Sequence, residues 1–265
     1  VIGYQNLDKL AYKVDRFMLR RTKEQVLKEL PPKTVRHIEF EMTEKEWNLY
    51  GSVRDVIVEE VKKMTDMDTR SLNIIPTKML RLKQCTGHPR LIDALELYDS
   101  SKMNTLKEML KPIIESGDKA IIFTQFAEML HIMCEELKEY NPLVIYGAVS
   151  DLDRMKAVDK FNKSPDHKLI IMTEAGAYGL NMQAASYVFH YDAPWSLAKL
   201  VQREDRAHRN GQTKPVTVYH LIAKGTIDEY VLKVLKKKGA VSEHILKDVE
   251  RTEMTLQEIN EILEI

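Results

Sequence analysis

Two cysteines, Cys85 and Cys134, are too few and too far apart for a disulfide framework or a zinc finger. That excludes a small, stapled secreted domain. Net charge is also lacking: 40 basic residues meet 40 acidic ones, so no overall positive field draws the chain to nucleic acid or an anionic membrane. No apolar run approaches the roughly 20 residues needed to cross a bilayer, and the first residues carry no secretory pattern. A soluble intracellular protein is the expectation. There is no complete Gly-x4-Gly-Lys-Ser/Thr loop and no acidic strand-end box to accompany one, so the chain cannot be a complete P-loop ATPase. The missing three-glycine fingerprint argues against a Rossmann dehydrogenase, a rival that tight NAD binding would reopen. What is there, 44% apolar and 30% charged residues in a chain of 265, suffices for one large domain with attached helical segments.

Charge is balanced overall but not locally. Residues 1–38 hold nine Lys or Arg against four Asp or Glu, including Arg20 and Arg21, and could meet phosphate. Residues 243–265 hold seven acids against two bases. Apolar residues there recur at three and four (Ile245, Leu246, Val249, Leu256, Ile259, Ile262, Leu263), which predicts a helix packed on its own domain, with an acidic interaction tail as the alternative. Thr43 followed by Glu46 reads as a capping box opening a helix to about Asp66, with Trp47, Tyr50, Val53, Ile57 and Val61 on one face and Gly51 as its weak point. Residues 66–76 read as a connector. A shorter helix carries Met79, Leu80, Leu82 and Cys85 and ends near Gly87 or Pro89. Pro31 and Pro32 separate a basic helical segment from the extended KTVRHIEFEMT.

From Ser101 onward, helical segments alternate with short apolar ones: KAIIFT, NPLVIY, HKLIIMT, SYVFHYD and PVTVYHLIA are strand-like, and SLAKLVQREDRAHRN reads as a helix running into a turn at Gly211. Strands apolar on both faces and separated by crossover helices predict an α/β fold with a mostly parallel sheet flanked by helices. The main domain falls at about residues 100–240, with helical extensions before and after it.

Open parallel sheets take ligands beyond the carboxyl ends of their strands. Thr124 and Gln125 lie there and can bind a phosphate or base, or simply cap the strand. Thr173 to Gly179 contains Gly176 and Gly179, whose backbone permissiveness allows N–H groups to approach an anion, and Asn181 can hold that turn through its side chain. Gln202, Asp205, Arg206 and Arg209 follow; a helix would send both guanidinium groups off one face. Either Glu204 and Asp205 neutralise them or they receive an anion such as a phosphoryl group. Trp195 can stack on a base or anchor its loop. His88, His190 and His208 show no zinc-binding spacing and read as structural or locally hydrogen-bonded.

In their order along the chain, FMLRRTKEQVLKELPPK, LRLKQCTGHP, KAIIFTQF, YGAVSDLDRMKAVDKFN, TEAGAYGLNMQAAS and YDAPWSLAKLVQREDRAHRNGQ resemble the second, C-terminal RecA-like lobe of an SWI/SNF-type helicase-like ATPase, a superfamily 2 DNA translocase. The resemblance implies a RecA-like mostly parallel sheet. It divides the chain into an interlobe connector and helical protrusion at 1–99, a motor lobe at 100–240 and a C-terminal helical brace at 241–265. It also implies an ATP-driven motor on double-stranded DNA. Arg206 and Arg209 would act on the ATP phosphates, with Gly179, Gln202 and Asp205 beside the nucleotide. Thr124, Gln125, Thr173, Gly176 and Trp195 would lie along the DNA. ATP and Mg2+ belong to the complete two-lobe motor, no metal site is expected wholly within this chain, and the N-terminal RecA-like lobe of the same parent is the implied partner. No membrane and no obligate homo-oligomer are implied, and the chain alone is expected to be inactive. Glu174, Ser196, Leu197 and Asn210 depart from the eukaryotic remodeller pattern and point to a prokaryotic or phage motor in the cytoplasm; a eukaryotic source would place it in the nucleus. The alternative is a noncatalytic nucleic-acid-binding or protein-docking domain retaining the fold.

Overall fold

The computed structural model describes residues 23–64, 75–92, 99–174 and 179–244, together with Lys9, Tyr12, Lys13 and Phe17. Residues 66–74 of the expected connector, Gly176 and nearly all of the acidic C-terminal helix lie outside the described residues, while Ile75 and Pro76, expected in that connector, begin a helix.

A single helical turn, α1 (Lys23–Val26), precedes β1 (Lys33–Phe40). The helices α2 (Glu44–Met64), α3 (Ile75–Gly87) and α4 (Ser101–Glu115) follow. The alternating part runs β2 (Ala120–Thr124), α5 (Ala127–Glu136), β3 (Leu143–Ile145), α6 (Asp151–Lys163), β4 (Leu169–Thr173), β5 (Tyr187–His190), α7 (Leu197–Glu204), β6 (Val216–Ala223) and α8 (Ile227–His244). The predicted capping box forms: the Glu46 carboxylate accepts from the Thr43 N–H at 2.8 Å, and the Glu46 N–H donates to the Thr43 hydroxyl at 3.3 Å. The same carboxylate also accepts from the Ser101 N–H at 2.9 Å, at the start of α4. Ser100, Ser150 and Ser196 cap α4, α6 and α7 through their side chains. Gly51 does not interrupt α2.

All six strands are parallel, in the order β1-β6-β5-β2-β4-β3. The Lys33–Phe40 strand pairs with β6 along its whole length, so the sheet extends beyond the 100–240 span into the segment before it. Pleating alternates side chains between two dry layers. Ile122, Ile171 and Phe189 face Leu106, Leu110, Met129 and Met133. Ile121, Phe123, Met172 and Val188 face Phe161, Met182 and Ala207. Each fully buried large side chain contributes roughly 1.5–3 kcal/mol relative to exposure. A third cluster joins α2, α3 and α8 through Tyr50, Ile57, Met79, Leu82, Tyr230 and Val231.

Candidate functional site

Two groups of residues gather around the β2, β4 and β5 ends and the segment after α7. At the first, β2 ends in Thr124, in register with Thr173 of β4. Thr124 is fully buried, and its hydroxyl donates to Asp192 at 2.6 Å. Gln125 donates its N–H to the other Asp192 oxygen and its side-chain amide to the Ala193 carbonyl, both at 2.8 Å. The strand-end-cap alternative therefore describes Thr124: it holds the loop and presents no hydroxyl outward. Thr173 is 6% exposed. Glu174 pairs with Lys199 across 3.5 Å.

Trp195 packs edge-on to Tyr230, with the Lys83 ammonium 5.6 Å from its ring centre. That is the anchoring geometry. Lys83 is buried and donates to the Ala193 carbonyl at 2.5 Å. Burial lowers its pKa to about 8, against the raising influence of Asp192 and Asp228. Arg203 is 2% exposed; it donates to the Asp192 main-chain oxygen at 3.0 Å and stacks its guanidinium 5.5 Å from the Phe123 ring centre. Burial pushes its pKa down, opposed first by Asp192 and then by Glu174. Asp192 thus organises the β2 and β5 ends while facing two buried cations. Sequence reasoning missed Asp192, Arg203 and Lys83, and the position of Asp192 just beyond a strand was the only local sign.

The second group corrects a sequence expectation. The helix predicted to carry Arg206 and Arg209 stops at Glu204, and both arginines sit in the irregular turns that follow. Their shared direction therefore comes from long-range contacts, not from helical spacing. Arg206 donates to the Leu180 carbonyl at 3.4 Å, and Arg209 donates to the side-chain oxygen of Asn181. The Met182 N–H closes the contact by donating to the Arg206 carbonyl at 2.9 Å. Gly179 opens this loop at φ +73°, with no atom within 4 Å of where a Cβ would sit, a conformation that suits glycine.

The neighbouring acids are engaged elsewhere: Asp205 pairs with Lys23 at 2.5 Å and Glu204 with Lys33 at 2.5 Å. Among the described residues, no carboxylate pairs with Arg209. Gln202 is exposed on α7. His208 is buried, with Nε2 2.8 Å from the Pro31 carbonyl, as a structural histidine. His190 differs, since neither of its ring nitrogens has a hydrogen-bond partner among the described residues.

The class this parallel sheet and its flanking helices define is the RecA-like lobe of helicase-type ATPases. The model of the helicase conserved C-terminal domain matches residues 101–211, and that of the SNF2-related domain matches residues 2–91. An uncharacterized ATP-dependent helicase of Mycoplasma pneumoniae is 35% identical over 249 residues, covering 92% of this chain and 24% of the relative. The mouse SWI/SNF-related matrix-associated actin-dependent regulator of chromatin subfamily A member 1 is 33% identical over 250 residues, covering 87% of this chain and 23% of the relative. Among solved structures, the Sulfolobus solfataricus SWI2/SNF2 ATPase core in complex with dsDNA superposes with a TM-score of 0.74 at 28% identity, covering 97% of this chain and 56% of that one. The C-terminal domain of the Sulfolobus ATPase gives 0.68 at 25% identity, covering 88% of this chain and 98% of that one.

The chain belongs to the SWI/SNF-type helicase-like ATPases and is a C-terminal lobe of that family. It spans about a quarter of the length of these two relatives. No helix among the described residues is long and apolar enough to cross a membrane.

Proposed function

We propose that this chain is the second motor lobe of an ATP-dependent double-stranded DNA translocase or remodelling protein. The carrying observation is that Arg206 and Arg209, on turns rather than a helix, both land on the Leu180–Asn181 loop. The contacts these guanidinium groups make to the neutral oxygens of Leu180 and Asn181 can be exchanged for anionic phosphate oxygens, a stronger class of hydrogen bond. ATP held mainly by the N-terminal RecA-like lobe of the same parent would receive them across the interlobe face, with Gly179, Gln202 and Asp205 beside it. There they would stabilise charge developing on the transferring phosphoryl group.

The donors at this turn do not fit Mg2+: Asp205 is engaged by Lys23, and Glu204, held by Lys33 through one oxygen, turns the other toward His190 and away from an all-oxygen set. We assign that ion to acids of the other lobe. Duplex DNA would run past the β2 and β4 ends. Gln125, Gly176 and Trp195 would line its backbone, with the buried pair Thr124 and Thr173 supporting them from beneath, and such contacts position DNA without reading its sequence. The Sulfolobus core solved with dsDNA supports this reading. The compartment follows the source: cytoplasm for a prokaryotic or phage parent, nucleus for a eukaryotic one.

The test is DNA-stimulated ATP hydrolysis and translocation by the two-lobe parent. Arg206→Ala and Arg209→Ala should each lower kcat by about 100-fold or more with the fold intact, and residues 1–265 alone should show no stimulated hydrolysis. Unchanged kcat in both variants, or a parent that binds DNA without moving on it, would favour the noncatalytic docking reading instead.

A further inference from the structure

The sheet face that meets α7 carries a row of imidazoles with no part in the motor reading. His37, His220 and His190 are paired in register across β1, β6 and β5. Their neighbouring ring centres are 5.2 and 4.6 Å apart. Parallel-strand interiors ordinarily hold Val, Ile and Leu at such positions. Glu204, the last residue of α7, reaches over the row with Oε1 3.6 Å from His190 Nε2. One donor atom from each of His190, Glu204 and His220 lies within 4.8 Å of the other two. His190 is fully buried, His220 is 3% exposed and Glu204 4%. Both nitrogens of His190 and Nδ1 of His220 lack hydrogen-bond partners among the described residues. Leaving such groups unsatisfied costs about 1–3 kcal/mol each.

We propose that His190, Glu204 and His220 form a buried transition-metal site whose donor set suits zinc(II). Two imidazoles and a carboxylate are a zinc combination with a fourth position left for a small ligand, whereas Mg2+ and Ca2+ take oxygen donors. A tetrahedral ion with bonds of about 2.0–2.1 Å holds its donors about 3.3 Å apart, so the three donors, within 4.8 Å of one another, must draw together, the His190 and His220 rings by rotating out of their stack. Lys33 holds the other oxygen of Glu204 at 2.5 Å, an outer contact that fixes the carboxylate and leaves Oε1 facing the histidines. The nearby Arg203 charge is opposed mainly by Asp192. Such an ion would tie the end of α7 to β5 and β6, two residues before Arg206. By cross-linking those elements it would fix the origin of the arginine turn.

The test strips the full chain with a chelator and titrates it separately with Zn2+ and Co2+. Expected results are one calorimetric equivalent of Zn2+, a rise in Tm, and the visible absorption of four-coordinate Co2+. His190→Phe, which keeps a ring beside Phe123, and His220→Gln should each weaken Zn2+ binding at least 10-fold with far-UV circular dichroism unchanged. Binding equal to the unsubstituted chain in both variants would place the ion on surface histidines and overturn the site. Should either variant fail to fold, the unsubstituted chain decides: neither a Co2+ band nor stoichiometric Zn2+ uptake also overturns it.

Discussion

The Thr124 hydroxyl donates to the Asp192 carboxylate across 2.6 Å, joining the carboxyl ends of two adjacent strands through buried side chains. The other Asp192 oxygen accepts from the Gln125 N–H, and the Asp192 carboxylate opposes the buried charges of Lys83 and Arg203. Asp192→Asn should therefore cost about 3–5 kcal/mol, because it leaves buried cations uncompensated. Thr124→Val removes one neutral donor and should cost only about 1–2 kcal/mol. Urea unfolding compares the two, and equal costs would refute the charge argument.

Lys102 and Asp228 form a buried ion pair at 2.5 Å, with side chains 0% and 6% exposed. Asp228 also accepts from the Thr86 hydroxyl and the Ala223 N–H. Asp228→Ala should destabilise by about 3–5 kcal/mol, since it strands the ammonium, while the double change Lys102→Met with Asp228→Leu should recover much of that loss. A double variant no more stable than Asp228→Ala would show that the hydrogen bonds to Thr86 and Ala223, rather than the charges, carry the effect.

Lys83 gives a pH dependence of definite sign. Its pKa is lowered by burial from 10.5 to about 8 in the folded chain. Between those values the unfolded state binds more protons, so stability rises with pH there as the folded ammonium is relieved of its desolvation cost. Relative to Lys83→Met, the native chain should gain up to roughly 3 kcal/mol between pH 7.5 and 10.5. Denaturant titrations of both proteins at the two pH values measure it; a constant difference would mean that Lys83 keeps its proton.

Glu46 caps α2 and also binds the first residue of α4. Glu46→Ala should cost about 2–3 kcal/mol against about 1 kcal/mol for Thr43→Ala, because it releases donors on two helices. Comparable Tm shifts for the two changes would deny the second role.

Sequence by itself determined what repeats locally. The apolar segments of β2, β4, β5 and β6, the crossover helices between them, the Thr43 and Glu46 capping box and the parallel sheet follow from periodicities of two and 3.6 and from cap chemistry over a few residues. The ordered motifs ending in Gln202 to Gln212 were enough for the family. Local rules failed where helical spacing was carried through Glu204: α7 stops there, and the arginine turns are fixed by Leu180 and Asn181, more than twenty residues earlier.

Only the tertiary structure decided which isolated polar residues became neighbours. Lys102 meets Asp228 across 126 positions, and His37, His190 and His220 line up because three parallel strands share a register. A lone lysine or histidine in an apolar strand or helix carries no mark of its partner, since the partner is chosen by sheet order and burial. The low dielectric of the interior then gives that choice its energetic weight.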